Sequence, residues 1–200
     1  VTDTGVRNKT PLPPPAVRRS TAEANLAWDR GDGPFGGRLY MVYTDRPAVG
    51  SPDTNIFVRH SSDAGSTWSE PVQVNSKSIG TSEFLPSIAV DQTSGALAVA
   101  WYNGDPANSH LTNFLVSTSG DGGDTFSENQ DVSPGPSNAS DRRLGSLSAS
   151  FQYGDYTGLV FAQGRLYPIW ADNSAELESN PDRPEFELAT SRVGTIFVRA

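Results

Sequence analysis

Short apolar runs separated by clusters of Gly, Pro, Ser, Asn and Asp recur along the chain, a pattern that predicts many strands and turns and no long helix. Three runs share one form, apolar or alternating and ending in an aromatic followed by a polar turn: Arg38 to Asp45 (RLYMVYTD), Ala96 to Asn103 (ALAVAWYN) and Arg165 to Asp172 (RLYPIWAD). Each follows a shorter run, respectively Asn25 to Asp29, Pro86 to Asp91 and Thr157 to Ala162, across a Gly-bearing turn such as Gln92 to Gly95 or Gln163-Gly164. Each pair reads as a β-hairpin.

The spacing of these hairpins is not random. Thr54 to Glu70 (TNIFVRHSSDAGSTWSE) aligns without a gap on Thr112 to Glu128 (TNFLVSTSGDGGDTFSE) at an offset of 58 residues, with nine of 17 positions identical. Adding the strands on either side of the repeated turn, Ile56 to His60 with Glu70 to Val74 and Phe114 to Thr118 with Glu128 to Val132, gives four antiparallel strands per unit. Four-stranded sheets in series are propeller blades, because one small sheet cannot bury both of its faces alone. The fold class expected is therefore all-β, a propeller of about three and a half blades, as 200 residues divided by 58 requires. The blades are placed at about 22–80, 81–140 and 141–200, behind a Pro-rich strap or linker at 1–21 that contains Pro11-Leu-Pro-Pro-Pro15. The third unit departs from the pattern: a polar loop (Asn173 to Arg183) leads to Phe186 to Ser191, and Arg192-Val193-Gly194 stands in place of the repeated turn before a last strand, Thr195 to Val198. With fewer than four blades the remainder of a ring must come from further blades of the same polypeptide or from another copy.

Inside the repeat, Ser61, Asp63, Gly65, Thr67 and Trp68 match Ser119, Asp121, Gly123, Thr125 and Phe126 in the pattern S-x-D-x-G-x-T-(W/F). An aspartate at the third position accepts hydrogen bonds from backbone N–H groups further on, the glycine supplies a positive φ, the threonine hydroxyl ties the returning strand, and the aromatic ring covers the underside of the turn. This octapeptide resembles the Asp box, or bacterial neuraminidase repeat, of sialidases and related β-propellers. The wording of Tyr153 to Leu159 and of Tyr167 to Asp172 is also similar to that of sialidase-like bacterial proteins. The resemblance implies a secreted or cell-surface propeller in which these ten residues are structural, at the blade periphery, with a glycan or polysaccharide as partner.

Composition narrows the partners. With 15 Lys and Arg against 23 Asp and Glu the net charge is −8, which repels a phosphate backbone and argues against nucleic acid. No apolar run is long enough to span a bilayer as a helix. The absence of cysteine excludes disulfides, thiolate metal sites and thiol catalysis, and no cofactor or metal is expected: Asp121 to Asp124 lacks the ligand spacing of a calcium loop.

Sialidases, which this chain resembles, grip a substrate carboxylate with three arginines and use an aspartate and a Tyr–Glu pair. The F/Y-R-I-P motif that carries the first arginine is missing, and none of Arg30, Arg38, Arg46, Arg59, Arg142, Arg143, Arg165, Arg183 or Arg192 matches a triad position. The remaining catalytic candidates are Tyr153, Asp155 and Tyr156 at the start of one first strand and Glu83 at the start of another, with Asp45, Asn103 and Asp172 at the ends of second strands. The competing reading makes Gly154 to Gly158 an inter-blade turn with packed tyrosines, and it is preferred. His60 and His110 are expected at the surface, and Trp28, Trp68, Trp101 and Trp170 in the core. Asn8 and Asn138 open weak glycosylation sequons. The function expected is an extracellular binding or assembly module without catalysis; the alternative is an exo-acting sialidase-type glycoside hydrolase.

Overall fold

The computed structural model describes residues 4–6, 10–11, 19–48, 51, 53–76, 81–108, 111–138, 153–174 and 187–194. Among these residues there is no helix, and the strands form antiparallel sheets. Strands β1 (Thr10–Pro11) and β2 (Arg19–Ser20) make a small hairpin. Blade one orders β3 (Asn25–Trp28), β4 (Leu39–Asp45), β5 (Asn55–Ser61) and β6 (Val72–Gln73). Blade two orders β7 (Glu83–Val90), β8 (Leu97–Gly104), β9 (Leu111–Ser119) and β10 (Gln130–Asp131), and β11 (Ser137–Asn138) pairs with the start of β9. Blade three has β12 (Gly158–Ala162) and β13 (Arg165–Asp172), with β14 (Glu187–Thr190) and β15 (Val193–Gly194) both pairing with β13.

Strand alternation explains how the blades stack. Successive side chains of β8 point to opposite faces, and the two faces lie in different cores. Leu97, Val99 and Trp101 join Tyr40, Val42, Ile56 and Val58 of blade one. Ala98, Ala100 and Tyr102 join Phe161, Leu166, Trp170 and Val193 of blade three. Blade two is thus covered on both sides, and all six of these β8 residues are fully buried. Each large apolar side chain so enclosed contributes on the order of 1.5 to 3 kcal/mol. The second core is aromatic: Phe114 stacks on Trp170 with ring centroids 4.7 Å apart, and Phe84, Tyr102 and Tyr153 meet at 4.9 to 5.3 Å.

The outermost strands are shorter than the pattern predicts because side chains take over the ladder. The Ile56 amide donates to Asn75 Oδ1 at 2.9 Å while Val74 N–H donates to the Ile56 carbonyl, and in blade two Phe114 N–H donates to Ser133 Oγ while Val132 N–H donates to the Phe114 carbonyl. Trp101 and Trp170 are core residues as expected, but Trp28 is 55% exposed. Its equivalent Val90 is covered by blade one, whereas Trp28 is exposed together with Leu26, which is 65% exposed. Trp68, on the returning side of its turn, is only half-buried. The first strand of blade three starts at Gly158, and Tyr153 and Gly154 before it adopt positive φ of 61° and 68°. The prolines at 13–15, His110, the arginines at 142, 143 and 183, most of the loop at 173–183 and the expected strand at 195–198 lie outside the described residues.

Candidate functional site

Two regions concentrate polar side chains: the hairpin turns at the outer edge of blades one and two, and the rim where first strands begin and second strands end. At the outer turn of blade one, Asp63 Oδ1 accepts from Ser61 Oγ at 2.7 Å and from Thr67 N–H at 2.8 Å, and Oδ2 accepts from Thr67 Oγ1 at 2.6 Å. Ser61 Oγ in turn accepts from Gly65 N–H at 2.8 Å. Blade two repeats this arrangement: Asp121 accepts from Ser119 Oγ, Thr125 N–H and Thr125 Oγ1, and Ser119 Oγ accepts from Gly123 N–H. Gly65 and Gly123 have φ of 85° and 91°, where a Cβ is strained. The hydrogen bonds from the Thr67 hydroxyl and amide and the Ser61 hydroxyl hold the Asp63 carboxyl down at about 2. Burial pushes Asp121 up, but the Thr125 hydroxyl and amide and the Ser119 hydroxyl outweigh it and leave that carboxyl below its ordinary range. These carboxylates are engaged by their own turns, and the arrangement fixes a hairpin.

The blade-two turn is also gripped from blade one. Arg38 Nη1 donates to the Gly122 carbonyl at 3.0 Å with its guanidinium 4.9 Å above the Phe35 ring, and His60 Nε2 lies 3.5 Å from Asp124 Oδ1. Burial drives the Tyr40 phenol beneath it up to about 12, so it stays neutral. Among the described residues no group of three or more His, Asp or Glu could hold a metal ion.

At the rim, the four candidate residues separate. Glu83 is fully buried, with Oε1 accepting from Thr81 Oγ1 at 2.9 Å and its backbone exchanging hydrogen bonds with Thr54. Tyr153 is fully buried in the aromatic core. Asp155 and Tyr156 are exposed, Tyr156 by 88%. A substrate can reach Asp155 and Tyr156 but not Glu83 or Tyr153 as they stand. Asp45 holds the backbone of an incoming segment, its Oδ1 accepting from Gly5 and Val6 N–H, and Asp172 accepts from the Ser137 hydroxyl and from the amide and hydroxyl of Ser174. Asn103 donates to the Gly104 carbonyl. The described arginines do not converge: Arg59 donates to Tyr43 Oη and to the Ser69 carbonyl, Arg38 is tied to the outer turn, Arg46 follows Asp45 at the rim, and Arg30, Arg165 and Arg192 are exposed.

Sequence reasoning missed the residues that tie blade to blade. Leu85 interrupts β7 with φ 50°; its N–H donates to Glu23 of blade one at 2.7 Å, and its carbonyl accepts from Thr157 of blade three at 2.9 Å. Asp91 closes the first strand of blade two and accepts Gly164 N–H of blade three at 2.6 Å. Asp29, its equivalent in blade one, is fully buried with Oδ2 beside Gly95 of blade two. The recurrence of Asp at the end of NLAWD and PSIAVD was the visible signal. The Glu23 and Thr157 contacts had none.

No family model matches the chain, and no curated protein is similar to it. Solved structures similar to it include a Hadza microbial sialidase (15% identity, TM-score 0.47, 74% of this chain and 32% of that one). Others are a protein of unknown function from Dyadobacter fermentans (15%, 0.44, 83% and 41%) and the NanB sialidase of Streptococcus pneumoniae (10%, 0.40, 79% and 42%). The chain therefore spans about a third to two-fifths of the length of these structures, and no described helix is long and apolar enough to cross a membrane.

Proposed function

We propose that this chain is part of an extracellular Asp-box propeller that binds a glycan or polysaccharide through its rim and does not hydrolyse it. Tyr156 carries this reading. It stands 88% exposed beside the exposed Asp155 on the turn into blade three, an aromatic face next to a carboxylate that suits a sugar ring and its hydroxyls. The outer turns are scaffold, as the engagement of Asp63 and Asp121 by their own hairpins supports. Dispersal of the described arginines supports binding without turnover, since a substrate carboxylate then has no preorganised partner among them.

The competing reading, an exo-acting sialidase-type glycoside hydrolase, draws on one observation. Glu23, Leu85 and Tyr153, at or just before the first strands of the three blades, all hold positive φ, and strain of this kind gathers at functional sites. One experiment addresses both readings. Calorimetric titration with a panel of neutral and sialylated oligosaccharides should give binding that Tyr156→Ala removes, with no fluorophore released from an aryl sialoside. Absence of binding across the panel sinks the first reading. Release of fluorophore that Tyr153→Phe or Tyr156→Phe abolishes establishes the second.

A further inference from the structure

The connection between β3 and β4, Asp29 to Arg38, is longer than the equivalent turns of blade two (Asp91 to Ala96) and blade three (Gln163-Gly164). Its returning half is scaffold, since Phe35 and Arg38 grip Gly122 of blade two. Its outgoing half reads Arg30-Gly31-Asp32-Gly33, and there the fold uses the backbone but neither charged side chain. Arg30 N–H donates to Gln92 Oε1 at 2.7 Å, and Gln92 Nε2 donates to the Trp28 carbonyl at 3.0 Å. Gly31 N–H donates to Asp29 Oδ1 at 2.8 Å, and a Cβ at Gly31 would fall 2.6 Å from the Gln92 carbonyl oxygen, so glycine is what lets the loop lie this close to blade two. From the other side Gly36 closes over Gly31: a Cβ there would meet the Gly31 carbonyl at 2.3 Å, and Gly36 N–H donates to the Gly33 carbonyl at 3.0 Å. The backbone is thus clamped from both sides. Yet Arg30 and Asp32 are exposed, and among the described residues neither the guanidinium nor the carboxylate forms a hydrogen bond or an ion pair.

Two opposite charges held bare on a fixed loop define what a partner must offer. Arg30 asks for a carboxylate, which the planar guanidinium meets with two parallel donors. Asp32 stands between Gly31 and Gly33, and a Cβ at Gly33 would meet nothing within 4 Å, so no adjacent side chain screens the carboxylate. A carboxylate this open suits a hard divalent cation that the partner holds with one coordination position free. A lysine of the partner would gain little from so exposed a group. Arg-Gly-Asp is the tripeptide that adhesion receptors of this chemistry read. Resting on the extracellular placement proposed above, we propose that Arg30-Gly31-Asp32 is an adhesion site for a cell-surface receptor. The receptor takes the Asp32 carboxylate on a divalent cation and the Arg30 guanidinium on acidic side chains. Because the loop backbone is already fixed, little ordering is lost on binding.

Attachment of fibroblasts to a surface coated with the whole chain tests the proposal. Cells should attach in the presence of manganese, detach when it is chelated with EDTA, and be displaced by soluble Gly-Arg-Gly-Asp-Ser but not by Gly-Arg-Gly-Glu-Ser. Asp32→Glu, which keeps the charge and lengthens its arm, and Arg30→Lys, which keeps the charge and removes the fork, should each lower attachment about tenfold, the loss of one principal contact. Both should keep the wild-type far-ultraviolet circular dichroism and urea midpoint, because the fold uses neither side chain. Asp32→Asn replaces Asp32→Glu should that variant misfold. No attachment, attachment that survives EDTA, or attachment indifferent to the substitutions at Arg30 and Asp32 would each overturn it. Attachment through a surface glycan would give the last of these results. Oligosaccharide titration is read separately, so failure here leaves the glycan proposal standing and failure there leaves this one.

Discussion

The two junctions between blades are built on the same register with opposite means. Between blades one and two, Val, Ile and Leu side chains pack around Tyr40 and Trp101, and the outer edge is closed by Arg38 reaching over Phe35 to Gly122. Between blades two and three, the small Ala98 and Ala100 lie beside an aromatic cluster in which Phe84, Tyr102 and Phe114 of blade two meet Tyr153 and Trp170 of blade three. The same register thus holds a mostly aliphatic core at one junction and a mostly aromatic one at the other. The first junction can be broken at its polar edge. The second depends on a few large rings.

That difference orders the expected effects. Trp170→Ala removes the ring stacked on Phe114 and should cost about 3 to 5 kcal/mol, the largest loss expected, read as a shift in the urea midpoint. Gly122→Val attacks the other junction: a Cβ there falls 2.6 Å from both Arg38 Nη1 and the Phe35 ring, at φ 76°. Overpacking and backbone strain together should cost about 1 to 3 kcal/mol. Its far-ultraviolet spectrum should stay that of the wild type. Asp121→Ala strands the amides of Asp124 and Thr125 and should cost about 1 to 2 kcal/mol in the same denaturation experiment.

Acid should act on the turns before the cores. The Asp63 carboxyl is held below its usual 3.8, at about 2, so its ionised form favours the folded state. The stability it contributes is complete above the unfolded value and is lost as pH falls from about 4 towards 2. Asp121 adds in the same direction. Denaturation midpoints measured down that range should fall, and Asp63→Asn should make the fall shallower. The smallest effect is expected for His60→Gln, which removes a half-exposed pairing with Asp124 worth at most about 1 kcal/mol.

The sheets were legible in the chain because alternation and a 58-residue repeat encode strand order directly. RLYMVYTD, ALAVAWYN and RLYPIWAD all lie in second strands. Solvent exposure was not legible where it depends on a neighbour: Trp28 has the pattern of a core residue, as Val90 does, yet Val90 is covered by blade one and Trp28 is exposed. Nor was the rim. Tyr153 and Tyr156 stand three residues apart in sequence, yet one is fully buried and the other 88% exposed, because a positive φ at Tyr153 turns the chain between them. Contacts such as Glu23 to Leu85 join residues 62 apart through a local irregularity that periodicity does not encode.

The central claim is that these sheets stack as consecutive blades. Two amides report on it alone: Gly164 N–H in blade three donates to Asp91 of blade two, and Leu85 N–H in blade two donates to Glu23 of blade one. Hydrogen exchange resolved by nuclear magnetic resonance should find both amides protected to the degree of the β7–β8 ladder, with Asp91→Ala releasing Gly164 and the Thr93 amide that shares Asp91 but not the ladder. Free exchange at Gly164 and Leu85 while the ladders within each sheet stay protected would show that the sheets form without stacking, and would contradict the account.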